Sequence, residues 1–167
     1  MERWDAYYRD ETLAGFDLVR GEPIPKDMYH IVCEVLIQHE DTSYLLMQRA
    51  WDKEGYPGFF EASAGGSVLK GESPLDGAKR EVYEETGIVV ESLTCINKAI
   101  EEPHIFYSYV AIVNCDKTSI QLQSGETIGY KWVDPHALVD FFHSDACINH
   151  QQNRYRRYLE SVERSLT

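Results

Sequence analysis

The clearest local structure in this chain is a helix that follows a pair of glycines, within the segment GGSVLKGESPLDGAKREVYEETGIVV. Ser73 is a favourable N-cap, Pro74 fits the first helical position, and Gly87 suits the position just after the last turn. Asp76 adds negative charge to the first turn, where the helix dipole favours it. The sequence therefore predicts a helix between Ser73 and Gly87.

Three glutamates share one face of this helix. At 100° per residue, Glu81, Glu84 and Glu85 fall within about 100° of arc. Glu81 and Glu85 are like charges at i,i+4, in a half of the helix where the dipole disfavours negative charge. A solvated surface face is one explanation, but a divalent cation with oxygen ligands would turn this repulsion into binding. A neighbouring apolar stripe is expected to dock on a sheet: Leu75, Ala78 and Val82.

The spacing of residues 66–88 matches the pattern G-x5-E-x7-R-E-U-x-E-E-x-G-U, in which U is a bulky aliphatic residue. Every fixed position is met, by Gly66, Glu72, Arg80, Glu81, Val82, Glu84, Glu85, Gly87 and Ile88. A chance match of this kind is on the order of one in a billion per start position. The chain resembles the Nudix hydrolase superfamily.

The resemblance implies hydrolysis of a pyrophosphate bond in a nucleoside diphosphate linked to another group, or in a related diphosphate. The implied cofactor is Mg²⁺, with Mn²⁺ as the alternative ion. The implied metal ligands are Gly66, Glu81, Glu84 and Glu85. Arg80 would hold the carboxylates in place, Glu72 would support the geometry of loop and helix, and Gly87 would end the helix.

The resemblance leaves the general base open. Within the motif, Glu84 and Glu85 are candidates. In many relatives a glutamate stands six residues before a tryptophan that closes a strand, and Glu126 does so here, although a simple turn acid is the alternative. Further candidates precede Pro103, where exposed loop acids are the default: Glu101 and Glu102.

Phosphate binding requires cationic side chains in an otherwise acidic protein. Arg49, at the end of a predicted strand, and Lys53, in the next loop, are candidates for contact with the substrate phosphates. The basic cluster at residues 154–157 is expected to be a polar helix face rather than a phosphate site. His30, beside a strand, is expected to have a hydrogen-bonded structural role.

Two alternatives of other classes remain. The N-terminal half also resembles the branch that includes isopentenyl-diphosphate isomerase, but Gly65 and Ser67 stand where that enzyme would have its catalytic Cys and a metal-binding His. The second alternative is a Nudix-fold sensor that binds ADP-ribose or a similar nucleotide without cutting it. Such proteins typically lose acids of the motif or carry a DNA-binding domain, and neither feature is visible in this sequence.

The order of elements predicts an α/β fold. Predicted strands over residues 29–38, 43–50, 59–67, 93–100, 104–114, 119–123 and 128–133 are interrupted by the acidic helix and followed by helices over 135–143 and 148–166. This order favours a sandwich with a mixed sheet, and the resemblance specifies a Nudix-type α/β/α sandwich. We expect one domain over residues 1–167, with residues 1–28 as a hairpin-like lead-in and residues 148–166 as the C-terminal helix.

Charge and cysteine usage restrict the partners. The formal net charge is −12, from 16 basic and 28 acidic residues, so non-specific binding to nucleic acid or an anionic membrane is disfavoured. The expected partner is a small diphosphate, and the sequence leaves the oligomeric state open, with a homodimer as one option. The four scattered cysteines are expected to be buried free thiols in the cytoplasm, and no targeting segment is visible at the start of the chain.

Overall fold

The computed structural model describes residues 1–167. Its strands are β1 Arg3–Tyr7, β2 Leu13–Val19, β3 His30–His39, β4 Tyr44–Arg49, β5 Phe60–Ala62, β6 Ala64–Ser67, β7 Thr94–Glu101, β8 His104–Val113 and β9 Thr127–Val133. Its helices are α1 Pro74–Thr86, α2 Pro135–His143 and α3 Asn149–Leu166. No membrane-spanning helix is found among α1, α2 and α3.

The main sheet has seven strands and is mixed. The strand order is β5-β4-β3-β8-β7, with β6 also pairing with β3 and β9 with β4. Strands β3 and β8 run parallel, with His30 beside His104, whereas the other pairs are antiparallel. The N-terminal hairpin β1–β2 forms a separate two-stranded sheet that joins β3 through a bridge between Tyr7 and Tyr29.

Helices cover both faces of the main sheet. Alternate residues of β3, including Val35 and Ile37, pack with Ala78 and Val82 of α1 on one face. On the other face, Leu36 packs in a cluster that includes side chains of α2 and α3. This arrangement confirms the predicted α/β/α sandwich with a mixed sheet.

Helix α1 begins and ends as predicted, and Ala78 and Val82 of the predicted apolar stripe are buried against the sheet. Ser73 Oγ accepts a hydrogen bond from the Asp76 backbone N–H, and Gly87 is in the left-handed region with its N–H bonded to Tyr83 O. Leu75, however, is 38% exposed. The side of the helix that is buried carries Gly77, Ala78, Val82, Glu85 and Thr86. The prediction that Leu75 is buried was therefore wrong. In the first turns of α1 it is Gly77 that faces the core, close to Val68.

Two other predictions about local structure were wrong. Residues 119–123 form no strand, because the Gln121 N–H bonds to Thr86 O at the end of α1 while Ile120 enters the main core. All four cysteines are free, and Cys33 and Cys147 are buried, but Cys95 is exposed. Cys95 lies on β7, which is an edge strand of the sheet with a register shift at this position.

Candidate active site

Most of the predicted site residues line a single cavity of about 600 Å³, whereas Glu72 and Gly87 are not part of its wall. One part of its wall, which we call the acidic end, is formed by the turn at Gly65 and Gly66 and by five glutamates: Glu61, Glu81, Glu84, Glu85 and Glu126. Another part, which we call the histidine end, is formed by Trp4, His30, His104 and Phe106. The cavity is thus walled by the hairpin, the middle of the sheet, α1 and the start of α3.

Glu85 is the buried carboxylate of the acidic end. Its Oε1 accepts a hydrogen bond of 3.2 Å from the Gly65 N–H, so it ties α1 to the glycine turn. Burial raises the pKa of Glu85 well above its ordinary value, and repulsion from Glu81, Glu61 and Glu126 acts in the same direction. Such a group gains from a nearby cation, because a positive charge relieves both the repulsion and the cost of burial.

Arg80 holds the remaining carboxylates of the motif. Its guanidinium donates hydrogen bonds of 2.7 Å to Glu72 Oε1, 2.7 Å to Glu81 Oε1 and 3.2 Å to Glu84 Oε2. It also donates to the carbonyl of Ser67 at 2.9 Å. Glu72 in turn accepts from the Leu69 N–H at 2.9 Å, so the loop before α1 is held to the helix.

Gly66 leaves room for a carboxylate. A Cβ atom built on Gly66 would lie 2.5 Å from both Cδ and Oε1 of Glu81, which is closer than a real side chain allows. Burial raises the pKa of Glu81, while its bonds to Arg80 act in the opposite direction. The absence of a side chain at residue 66 therefore allows the Glu81 carboxylate to lie against the backbone of the turn.

The donor chemistry of the acidic end fits a hard divalent cation. It offers several carboxylate oxygens and backbone carbonyls close to a glycine turn, in a partly buried place where like charges repel. In this structure no three His, Cys, Asp or Glu side chains converge as a bound ion requires. The carboxylates of Glu81 and Glu84 accept hydrogen bonds from Arg80, and the carboxylate of Glu85 accepts one from the Gly65 N–H.

The two predicted phosphate-binding residues lie in the same cavity. Arg49 donates to Glu61 Oε1 at 3.0 Å and to Gly55 O at 2.9 Å. Lys53 forms an ion pair with Glu126, in the turn before β9. Burial raises the pKa of Glu61, which is a further carboxylate close to Glu85.

Of the later acids considered as a base, only Glu126 lines the cavity. Glu101 binds Arg154 instead, with Oε2 at 3.1 Å from Nη1. Glu102 accepts hydrogen bonds from Arg9 and from the hydroxyl of Tyr29. The structure therefore brings Glu126 together with the glutamates of α1 and places the other two acids outside the cavity.

Two expectations about basic and histidine residues were wrong. Arg154 is buried and binds Glu34 through two hydrogen bonds of 2.7 and 3.0 Å, whereas Arg156 and Arg157 are exposed as expected. His30 is buried, but both of its ring nitrogens lack a hydrogen-bond partner. Each result follows from tertiary packing: α3 places Arg154 over β3, and the hairpin places Trp4 over His30.

Several cavity residues had no sequence signal that singled them out. Glu61 on β5 and Gln151 on α3 enter the cavity wall, and the Gln151 side chain accepts from the Ala62 N–H at 3.0 Å. One signal was available, however, because Glu34 interrupts the apolar run VCEVLI of a buried strand. A charged residue at such a position needs a buried partner, which Arg154 provides.

Comparisons with known proteins identify the family. The NUDIX domain model matches residues 28–154. An uncharacterized Nudix hydrolase of Listeria monocytogenes is 41% identical over 91 residues, which cover 54% of this chain and 54% of the relative. The aligned part is thus only about half of that relative. An isopentenyl-diphosphate Delta-isomerase of Corynebacterium diphtheriae is 26% identical over 128 residues, covering 69% of each chain.

A crystal structure with a similar fold is also known. A protein of Deinococcus radiodurans, DR0079, gives a TM-score of 0.69 at 18% identity, with 98% of both chains covered. At that identity the likeness concerns the fold alone. The family model, in contrast, covers most of the chain and includes the complete motif at residues 66–88. This chain therefore belongs to the NUDIX domain family.

Proposed function

We propose that this protein hydrolyses the pyrophosphate bond of a small organic diphosphate with the help of a divalent metal ion. The observation that carries the proposal is the buried carboxylate of Glu85, bonded to the glycine turn at one end of the cavity and repelled by neighbouring acids. Family membership supports the reaction class. A cation at this end of the cavity would reduce the repulsion between these acids and a diphosphate.

The residues that would hold the ion are Glu81, Glu84, Glu85 and the carbonyl of Gly66. A bound ion would neutralise phosphate charge and lower the pKa of a water molecule. We propose Mg²⁺, with Mn²⁺ as the alternative, because both favour oxygen ligands. Arg80 then positions the carboxylates and would have to exchange part of its present contacts when the ion binds.

The protein's other side chains bind and orient the substrate. Arg49 and Lys53 lie on the cavity wall and would contact phosphate oxygens, and Glu61 keeps Arg49 directed into the cavity. Glu126 is our candidate for accepting the proton of the attacking water, once Lys53 turns from it to the substrate. Glu84 and Glu85 remain the alternatives within the motif.

Three further features belong to the proposal. We propose that residues 1–167 act as one domain, because the hairpin and α3 both contribute to the cavity wall. The four free cysteines suit the cytoplasm, where thiols stay reduced. A homodimer stays a prediction, which size-exclusion chromatography with light scattering would test.

The test is hydrolysis of a panel of nucleoside diphosphate derivatives and isoprenoid diphosphates, with Mg²⁺, with Mn²⁺ and with a chelator. The Glu85→Gln variant is expected to lower kcat by about 10²–10⁴-fold, as expected for the loss of a metal ligand or base. Glu91→Gln changes an exposed glutamate outside the cavity and should leave kcat unchanged. Mass spectrometry in ¹⁸O-labelled water then identifies the phosphorus that is attacked.

The same experiment separates the alternatives. Turnover without metal, or a fully active Glu85→Gln variant, would refute the proposal. Tight binding of a nucleotide that is recovered uncut would indicate a sensor. An isomerase would rearrange isopentenyl diphosphate without releasing phosphate, but residues 65 and 67 offer neither a thiol nor an imidazole. Cys33, on the adjacent strand, is buried, and burial raises the pKa of its thiol to about 12.

A further inference from the structure

The N-terminal hairpin is fixed to the loop that precedes α1. The hairpin lies outside the part of the chain that the family model matches, which starts at residue 28. The Lys70 N–H donates to Arg3 O at 3.0 Å, and the Gly71 N–H donates to Asp5 Oδ2 at 2.7 Å. Both donors belong to the loop that joins the glycine turn to α1. The hairpin therefore has a defined place beside the acidic end of the cavity.

Two charged side chains of the hairpin reach the cavity wall. Glu2 and Arg20 both line the cavity, and they form an ion pair in which Arg20 Nη1 lies 3.1 Å from Glu2 Oε2. The other carboxylate oxygen of Glu2 accepts a hydrogen bond of 2.7 Å from Trp4 Nε1. Because Glu2 is held within the hairpin in this way, it keeps the guanidinium of Arg20 at the edge of the cavity.

Arg20 is the most exposed cationic side chain of the cavity wall. Its side chain is 64% exposed, whereas those of the other four cations are 7% to 22% exposed. Each of these four pairs with a carboxylate of the same wall: Arg49, Lys53, Arg80 and Arg154. Arg20 donates one hydrogen bond, although a guanidinium has five N–H groups. An anion could therefore bind Arg20 without first breaking a buried ion pair.

The cations of the wall lie on two sides of the acidic end. Burial raises the pKa of Glu81, and the charge of Glu2 acts in the same direction, so the hairpin pair lies near Glu81. Arg49 and Lys53 instead pair with two acids whose charges act on Glu85. Glu81 and Glu85 are one turn apart, which is about 6 Å along the axis of α1. A diphosphate at the acidic end would therefore have cationic side chains on both sides.

We propose that Arg20 of the hairpin binds a phosphoryl group of the substrate, on the side of the acidic end opposite to Arg49 and Lys53. The inference rests on the proposed function for the diphosphate itself. Guanidinium and phosphate groups form charge-assisted hydrogen bonds, frequently two in parallel, and Arg20 has N–H groups available for both. The hairpin is thereby part of the substrate site and not only a lead-in to the domain.

The experiment measures the binding of methylenediphosphonate by titration calorimetry in the presence of Mg²⁺. This diphosphate analogue has a carbon in place of the bridging oxygen and is not hydrolysed, so binding is measured without turnover. Arg20→Met removes the guanidinium, and Arg20→Lys keeps the positive charge. The matched control is Arg9→Met, in the turn of the same hairpin. The Arg9 side chain is also 64% exposed and also pairs with an exposed glutamate, but it does not line the cavity.

Arg20→Met is expected to bind methylenediphosphonate about tenfold more weakly than the unaltered protein, as is typical for the loss of a hydrogen bond between charged groups. Arg9→Met should bind it as the unaltered protein does, and Arg20→Lys should lie between the two. Glu2→Gln should bind at least as tightly as the unaltered protein, because it removes a negative charge and the competing partner of Arg20. The melting temperatures of Arg20→Met and Arg9→Met should agree, since exposed ion pairs contribute little to stability.

Equal affinities of Arg20→Met and Arg9→Met would overturn the inference, as would a failure of methylenediphosphonate to bind the unaltered protein. A lower melting temperature of Arg20→Met with unchanged affinity would likewise overturn it, since the role of Arg20 would then be structural. The outcome is separate from that of the hydrolysis assay. Weaker binding to Arg20→Met would stand even if no diphosphate were hydrolysed, and unchanged binding in an active hydrolase would refute only the role of Arg20.

Discussion

His30 is expected to make the protein sensitive to acid. Burial lowers its pKa from 6.5 to about 3, and the neighbouring His104 adds to this effect. Between about pH 6.5 and 3, the imidazole is therefore protonated in the unfolded chain but not in the folded protein. The contribution of His30 to the unfolding free energy is constant above about pH 6.5 and becomes increasingly unfavourable as the pH drops towards 3. Between neutral pH and about pH 4.5, the unfolding free energy of the unaltered protein should fall by roughly 2–3 kcal/mol more than that of the His30→Phe variant.

Urea denaturation at several pH values measures this difference. His136→Phe is the control, and its pH profile should follow that of the unaltered protein. Because all carboxylates are the same in these proteins, the difference between the profiles isolates the histidine. Parallel profiles for His30→Phe and the unaltered protein would show that His30 accepts a proton without unfolding.

Single residues differ in how far the sequence could predict them. The grouping of Glu81, Glu84 and Glu85 follows from helical periodicity, which is local, and the motif added Gly66 and Glu72 at fixed distances along the chain. The roles proposed for these residues stay predictions. His30 was misjudged because its environment comes from Trp4, on the hairpin, and from His104, far along the chain. No local pattern carries that information.

At the scale of elements, we expect substitution in the short strand β6 to lower activity as strongly as substitution of the glutamates on α1. In Gly66→Ala, the new methyl group would occupy the place of the Glu81 carboxylate. Glu81 would have to leave the turn, and its bond to Arg80 would be disturbed. We expect kcat of metal-dependent hydrolysis to fall about a hundredfold or more, as is typical when a catalytic group is misplaced by about 1 Å.

The control for this substitution is Gly55→Ala. Gly55 lies in the loop that contacts Arg49, but a Cβ atom there would meet no atom within 4 Å. Its kcat should stay within about twofold of the unaltered protein, since surface changes of this kind have small effects. Equal loss of activity in both variants would contradict a specific role for the Gly66 position.

The elements themselves were predictable to the extent that their signals are local. The caps of α1 at Ser73 and Gly87 were confirmed, because capping depends on neighbours within a few residues. The segment at residues 119–123 has apolar alternation but forms no strand, and the Gln121 N–H bonds to the end of α1 instead. The exposed Leu75 was also missed because the orientation of a helix on its sheet is determined by tertiary packing and not by the local sequence.

At the scale of the whole molecule, one buried ion pair joins the end of the chain to its centre. Arg154 of α3 and Glu34 of β3 are separated by 120 residues in sequence, and their side chains are only 7% and 6% exposed. Ser108 donates to Glu34 at 2.7 Å, and Glu101 provides a second carboxylate for Arg154. The pair therefore links α3 to three strands of the main sheet, β3, β7 and β8, on the wall of the cavity.

Removing one partner of this pair should lower the free energy of unfolding far more than the same substitution at an exposed arginine of α3. Arg154→Met leaves the Glu34 charge buried without a partner, so the unfolding free energy should fall by about 3–5 kcal/mol. Adding Glu34→Gln removes the charge and keeps an acceptor for Ser108, so the double variant should recover a large part of the loss. Arg157→Met, one turn further along α3 and exposed, should change stability by less than about 0.5 kcal/mol. A double-mutant cycle by urea denaturation measures the coupling, and additive losses would mean that the two charges do not stabilise each other.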